Sequence, residues 1–285
     1  MKISQIAEFV KLEHTVFDLP FVVSGAILAS GGHFFPFKYL LILIAVTSAR
    51  ATAMSVNRIE GLKFDKKNPR KKDWLLVSGK MTVKEGVTMA LVFGLVFEIS
   101  AYFLNTFVLI LSPVVLVLFV LDPFVKRFTP WRHLSMGATI GVGVLGGYLA
   151  IDPRFPSSLP VYLIVLASSF WIAGFDMIYT IPDVEVDKAM ALHTVMSDYG
   201  VRRGLVISSL FHMVTVASFV ALLIYIKSIF YLFALVPITL LIVYQHLVID
   251  LRDPDSIRVS FQNSNTFLGV IFLIGLVLAQ IYPSV

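Results

Sequence analysis

Nine apolar stretches, each about the length of a membrane-crossing helix, divide this chain from end to end. They fall near residues 14–31, 37–58, 84–104, 107–124, 133–151, 160–182, 204–226, 229–249 and 265–282. A helix rises about 1.5 Å per residue, so roughly twenty apolar residues cover a hydrocarbon core of about 30 Å. One such stretch fits several folds. Nine in 285 residues predict an all-α, polytopic membrane protein. The expected form is one bundle around a central cavity, a single domain over residues 1–285. Gly and Pro interrupt several stretches, so a count of eight or ten stays compatible with the pattern. The chain is only 14% charged, where a soluble domain carries about 25%. The net charge of +5 is explained by its placement beside membrane segments and points to no nucleic acid. Residues 3–12 read as an amphipathic interfacial helix, and no signal-peptide pattern precedes them. There is no cysteine, which excludes disulfides, thiolate metal sites and Cys nucleophiles.

The basic residues set the orientation. Lys63, Lys66, Lys67, Arg70, Lys71, Lys72 and Lys80 follow the second stretch; Lys126, Arg127 and Arg132 follow the fourth. Lys188, Arg202 and Arg203 follow the sixth, and Arg252 and Arg258 the eighth. The alternate connections hold Lys38, Arg154 and Lys227. A positive-inside bias of this kind places the N-terminus and the basic loops in the cytoplasm and the C-terminus outside, in a cell membrane. The 133–151 segment, with Gly137, Gly141, Gly143, Gly146 and Gly147, predicts a tightly packed helix.

Chemistry concentrates at Gly174–Lys188. Asp176, Asp183 and Asp187 are separated by seven and four residues. At about 100° per residue all three fall within roughly 40° on a helix, with Tyr179 near the same face. Pro182 is expected to end or kink that helix. Carboxylates converging at a membrane helix end need a positive partner. Mg²⁺ is a natural one, since it takes oxygen ligands and shares them with a substrate phosphate. A solvated acidic loop is the alternative.

The second stretch offers a matching end. Arg50 and Asn57 share a face seven residues apart, and Glu60, Asp65 and Asp73 follow. Arg50 lies about two turns inside the helix, where a cation needs an anionic partner unless it snorkels to the interface. Most lysines of the basic run read as a solvated, lipid-facing loop. Both loops pass from a helix end through carboxylates to a basic segment, which hints at two pseudo-repeat halves, about 1–130 and 131–285. Acids on two opposed loops with embedded Arg and Lys suit a diphosphate held through Mg²⁺, and apolar helices suit a long hydrocarbon tail.

These residues carry a resemblance over nearly the whole length. Lys11–Phe21, Asn57–Arg70, Val77-Ser-Gly-Lys-Met81, Lys126–Gly137, Gly174–Lys188 and Leu192-His-Thr-Val195 together resemble the UbiA superfamily of intramembrane aromatic prenyltransferases. The Lys-Arg-Phe-Thr and Gly-Phe-Asp wording is most similar to the 4-hydroxybenzoate polyprenyltransferase branch. One position departs from the pattern: the first Asp-rich motif keeps Asn57 and Asp65, but Gly61 stands where the family has Asp. The adjacent Glu60 is the candidate to fill that role.

The resemblance implies transfer of an isoprenyl group from a prenyl diphosphate to a small aromatic acceptor such as 4-hydroxybenzoate or a hydroxynaphthoate, in quinone or related lipid biosynthesis. It assigns Asn57, Glu60 and Asp65 to one Mg²⁺, and Asp176, Asp183 and Asp187 to another. Arg50, Arg58, Lys126 and Asn57 are expected to bind the diphosphate substrate. Asp65, Asp176, Asp183, Asp187 and Tyr179 form the expected catalytic set. Tyr179 either faces the allylic cation or anchors the helix at the interface. The loops at 59–82 and 183–203 are the expected lids. Three other readings remain open: a non-aromatic acceptor, a weakened prenyl-diphosphate-binding homologue motivated by Gly61, and an ion-coupled anion transporter. His14, His33, His133, His212 and His246 show no metal-ligand spacing; His193 reads as structural; Glu98 reads as a packing or hydrogen-bonding residue.

Overall fold

The computed structural model describes residues 2–12 and 15–282, so Glu13 and His14 of the opening motif lie outside it. It is all-helical among the described residues. In order the helices are α1 (Ile3–Val10), α2 (Thr15–Ser30), α3 (Pro36–Asp65), α4 (Val83–Leu104), α5 (Thr106–Val125), α6 (Arg132–Ile151), α7 (Leu159–Tyr179), α8 (Val184–Ala189), α9 (Val195–Tyr199), α10 (Val201–Ile226), α11 (Ile229–Leu247) and α12 (Pro254–Ile281). Eight of them are long and apolar enough to cross a membrane, and α1 with α2, bent by 71°, makes a ninth if counted as one span. The nine expected stretches therefore each correspond to a helix.

Hydrophobic burial and backbone satisfaction explain the arrangement. With no water in the hydrocarbon, each span satisfies its own backbone. Leu91, Leu95, Ile110, Val114 and Val117 on α4 and α5 stay exposed, as lipid-facing side chains should. Between helices, close approach replaces the hydrophobic drive. At α2 and α6, a Cβ on Gly147 would stand 2.0 Å from the Val22 carbonyl oxygen, and one on Gly25 2.1 Å from that of Val144. Gly137 presses α6 on α7 in the same way, 2.1 Å from the Ser169 carbonyl oxygen. The glycine-rich segment is thus the tightly packed helix expected. Polar side chains also join helices: the Ser112 hydroxyl on α5 donates to Glu98 on α4 at 2.5 Å.

An aromatic file runs through the core between α2, α7 and α12. Tyr179 packs on Phe261 with ring centres 4.7 Å apart. Phe261 meets Phe17 and Phe175, and Trp171 and Phe21 continue the file inward. The file joins α2, α7 and α12 into one core.

The two ends of the bundle differ. At one, Lys38 donates to the Ile151 carbonyl and Asn105 to that of Leu149. At the other, the ends of α3, α5 and α7 meet the start of α6, and nearly all chemistry-bearing residues gather there. Three elements depart from the sequence reading. Helix α3 runs to Asp65 rather than stopping near 58, because its inner face continues through Ser55, Arg58 and Asp65, all buried. Helix α7 stops at Tyr179 and a single tight turn, Ile181–Asp183, follows. Helix α12 begins at Pro254, eleven residues before the apolar stretch, with Ser256, Ser260, Ser264 and Asn265 buried inside protein.

Candidate active site

The site is built where two helices overrun their apolar segments. At 30 residues, α3 is about 45 Å long, so its final turns project beyond a hydrocarbon core of about 30 Å. They carry Asn57 through Asp65. On the facing side Pro182, lacking an N–H and blocking the helical path, breaks the chain after α7. The break gives three short platforms: Asp176 on α7, Asp183 in the tight turn, Asp187 on α8. The expected helix break is present. The three acids therefore stand on separate elements and do not share one continuous helical face.

The first loop reaches across to the second. Asn68 caps its own turn through Oδ1, which accepts from the Arg70 N–H at 3.0 Å, and its Nδ2 donates to Asp183 Oδ1 at 2.8 Å. Arg70 pairs with Asp183 Oδ2 and lies over the Tyr179 ring, 5.5 Å from its centre. Lys71 turns inward onto Asp65, Nζ to Oδ1 2.8 Å, while Lys63, Lys66, Lys67, Lys72 and Lys80 stay exposed. Most of the basic loop is therefore solvated as expected; Arg70, itself exposed, and the half-buried Lys71 differ in being paired with Asp183 and Asp65.

On the α6 side, His133 is fully buried and its Nδ1 lies 2.6 Å from Asp176 Oδ2. Arg132 stands 3.5 Å from the same oxygen and 3.7 Å from Asp122 Oδ2. Asp187 feels its neighbours: burial, then the like charge of Asp183, push its carboxyl up to about 6. Lys126 is pulled down to about 8, first by burial and then by the cations Arg132 and Lys71, with Asp65 and Asp187 opposing. Asp65, Asp183 and Asp187 thus share one field with Lys71, Lys126 and Arg132, and Asp176 joins it through Arg132.

The other expected site residues fall around this cluster. Arg50 pairs with Asp18 of α2, the anionic partner an embedded guanidinium requires. Arg58 is buried and stacks on Trp74, guanidinium carbon 3.6 Å from a ring centre. Asn57 is half-buried on α3, two turns before Asp65. Glu60 pairs with Arg127, which also lies over Phe64 and Phe124, so it is committed to the end of α5. At Gly61 an added Cβ would stand 3.1 Å from Asp65 Oδ2, so a side chain there would face that carboxylate. His193 meets Asp198 through Nδ1 at 2.8 Å, a structural role.

Sequence reasoning passed over Asn68, Arg70, Lys71, Arg132 and His133 as contributors. The one signal available was Arg132-His133 at the mouth of an apolar stretch, where a cation is costly without a partner.

No three acid or His side chains among the described residues form a closed metal site, and Asp65, Asp176 and Asp183 are each held by a basic or amide neighbour. The donor chemistry nevertheless suits a hard divalent cation. The two facing helix ends carry four carboxylates and no sulfur, and the Asp183 charge bears on Asp187.

Comparison with known proteins agrees with this geometry. The model of the UbiA prenyltransferase family matches residues 19–282. The chain belongs to the UbiA prenyltransferase family. A UbiA homolog from Aeropyrum pernix, solved in its apo form, superposes with a TM-score of 0.84 at 31% identity, covering 94% of this chain and 98% of that one. A UbiA homolog from Archaeoglobus fulgidus, solved with GPP and Mg²⁺, superposes with a TM-score of 0.74 over 97% of this chain and 99% of that one; at 18% identity the likeness is of fold. Among curated proteins, the 4-hydroxybenzoate octaprenyltransferase of Francisella tularensis subsp. novicida is 31% identical over 156 residues, 54% of each chain. The chain thus spans about half the length of that curated relative. This UbiA family member is an integral membrane protein with its carboxylate cluster at one end of the bundle.

Proposed function

We propose that this chain transfers an isoprenyl group from a prenyl diphosphate to an aromatic acceptor such as 4-hydroxybenzoate or a hydroxynaphthoate, with Mg²⁺ as cofactor. The observation that carries the reading is the contact of Asn68 and Arg70 with Asp183, which brings the two acidic helix ends face to face with Lys71, Lys126 and Arg132 among them. Family membership supports the reaction class, and the 4-hydroxybenzoate octaprenyltransferase relatives support the acceptor class. The GPP and Mg²⁺ in the Archaeoglobus fulgidus homolog support the cofactor. A transporter site is expected near the middle of the bilayer, whereas these acids stand at helix ends.

Asp65, with Asn57 on the same helix, and Asp176, Asp183 and Asp187 would hold Mg²⁺, which supplies charge stabilisation to the departing diphosphate. Glu60, the remaining expected ligand, is paired with Arg127 as Asp65 is with Lys71 and Asp183 with Arg70. Lys126 is suited to meet the diphosphate as a compact point charge, with Lys71 and Arg70 beside it. As the allylic C–O bond breaks, both electrons leave with the diphosphate and the allyl group becomes a cation. The Tyr179 ring, at the head of the aromatic file, is suited to stabilise that cation where Arg70, which lies over the ring in the ligand-free site, gives way to the substrate. The acceptor ring, made electron-rich by its hydroxyl, forms the new C–C bond and loses the ring proton to a weak base. Water must stay out, or the cation is quenched to an alcohol. Helices α3 and α10 take 59–65 and 201–203, so the expected lids at 59–82 and 183–203 shorten to segments 66–82 and 183–200 as covers of the site. The bias of Lys and Arg to this end of the bundle supports a cytoplasmic site in a cell membrane.

The test is turnover by the purified chain with a prenyl diphosphate, Mg²⁺ and a panel of aromatic acceptors. Product that disappears with EDTA supports the reading. Cation-independent product, or none with any acceptor, opposes it.

A further inference from the structure

The backbone from Leu192 to Val195 is tied to three charged elements of the site. The Leu192 N–H donates to the Asp187 carbonyl at 2.9 Å, and the His193 N–H to the Lys126 carbonyl at 2.8 Å. The Val195 N–H donates to His133 Nε2 at 3.4 Å. Ala191, just before, takes a left-handed conformation with φ +50°, which turns the chain into this strap. Leu192, Val195 and Met196 are buried and seat it, and Thr194 with Ser197 closes it in a reciprocal cap.

The contact with Val195 decides how the His133 ring is protonated. A backbone N–H only donates, so Nε2 must offer its lone pair. The neutral ring then carries its proton on Nδ1, which faces Asp176 Oδ2 at 2.6 Å and donates to it. His133 is 0% exposed, so no solvent replaces either partner if one is lost. Arg132 also meets Asp176 through Oδ2, leaving Oδ1 with neither contact.

We infer that His133 is a positioning residue that couples seating of the 192–195 strap to the orientation of Asp176. The inference rests on the proposed metal role of Asp176. A seated strap selects the Nδ1–H tautomer, and that tautomer fixes Oδ2 and leaves Oδ1 to a cation. A lifted strap removes the reason for the tautomer, and the carboxylate loses its orienting donor. Closure over the site and readiness of the carboxylate thereby become one event. Partners that orient metal ligands in this way are typically worth about 10–100-fold in affinity or activity.

Two variants approach the contact from opposite sides. His133→Leu removes both bonds, and His133→Gln keeps an amide donor and a carbonyl acceptor. Val195→Pro removes the N–H and exchanges the buried isopropyl group for a pyrrolidine ring of similar size: Val195 is the first residue of α9, where proline is accommodated, and Thr194 before it is already extended at φ −135°, ψ 159°. The full chain in detergent would be followed by nitrogen NMR of labelled histidine, by hydrogen exchange of segment 190–197, and by binding of Mn²⁺ as a spectroscopic substitute for Mg²⁺. The expected results are an Nδ1–H tautomer for His133 and faster exchange with at least tenfold weaker Mn²⁺ binding in His133→Leu. Val195→Pro should weaken Mn²⁺ binding similarly, and His133→Gln should approach the parent. An Nε2–H tautomer in the parent chain overturns the inference by itself, even if variants fail to fold. So does Val195→Pro with unchanged Mn²⁺ affinity. A parent chain that binds no divalent cation refutes the metal assignment instead, while the tautomer and exchange results still decide the coupling between strap and ring.

Discussion

Lys126 should give diphosphate binding a pH dependence that can be worked out in advance. Burial and the neighbouring Arg132 and Lys71 bring its ammonium down to about 8 in the ligand-free site. The charged form is the one that attracts diphosphate. Below about pH 7 it is nearly complete, and at about pH 9 roughly one molecule in ten keeps it. Affinity for a prenyl diphosphate should therefore fall about tenfold between about pH 7 and 9, equal to about 1.4 kcal/mol. A cation bound on the carboxylates adds positive charge nearby and moves the midpoint lower, never higher. Ligand-free stability runs the other way: the folded value lies below the unfolded one, so the unfolded chain binds more protons between about pH 8 and 10.5, and stability rises with pH there. The assay is equilibrium binding of an unreactive prenyl thiodiphosphate, whose C–S bond does not break to the allylic cation, at constant free Mg²⁺. Lys126→Arg stays charged throughout and should bind with a flat profile; Lys126→Met should be flat and weak. Parallel decline of the parent chain and Lys126→Arg with pH would refute the argument.

Four further predictions follow from named contacts. Asp183→Ala, which removes the carboxylate held by Asn68 and Arg70, should abolish turnover; retained Mg²⁺-dependent activity would remove Asp183 from the metal assignment. Glu60→Gln should leave Mg²⁺ affinity within about twofold, since Glu60 serves Arg127, and a Mg²⁺ titration showing a loss beyond about tenfold would restore it as a ligand. Gly61→Asp should raise turnover at limiting Mg²⁺ by supplying a carboxylate beside Asp65; no change across a Mg²⁺ titration would mean that Gly61 does not limit this chain. Gly147→Ala should lower the thermal midpoint in detergent, because its Cβ would stand 2.0 Å from the Val22 carbonyl and overpacking costs about 1–3 kcal/mol. An unchanged midpoint would contradict the close packing of α2 and α6.

The spans were readable because lipid imposes a length and a hydropathy that few alternatives satisfy. Helix ends were less so. Helix α3 continues seven residues past its expected end on a buried face of mixed polarity, and α12 begins among residues too polar to count as a span. Asp176, Asp183, Asp187 and Lys126 were legible from acids and bases set against an apolar background. Their partners were not. Arg70 and Lys71 look like any basic juxtamembrane residues until the loop folds back to Asp183 and Asp65. His133 carries no spacing signal, because its two bonds come from Asp176 and Val195, distant in sequence and brought together only by packing. Arg50 was expected to contact diphosphate, yet its charge is met by Asp18, 32 residues earlier on a different helix.

The measurement that bears most directly on the central claim is prenyl transfer by the purified chain in detergent. It would receive geranyl or geranylgeranyl diphosphate with 4-hydroxybenzoate and hydroxynaphthoate acceptors, with Mg²⁺ and with EDTA. Facing carboxylates at the ends of α3 and α7 predict a prenylated aromatic product that forms with Mg²⁺, stops with EDTA and is absent in Asp183→Ala. Product that persists in EDTA or in Asp183→Ala would contradict the account.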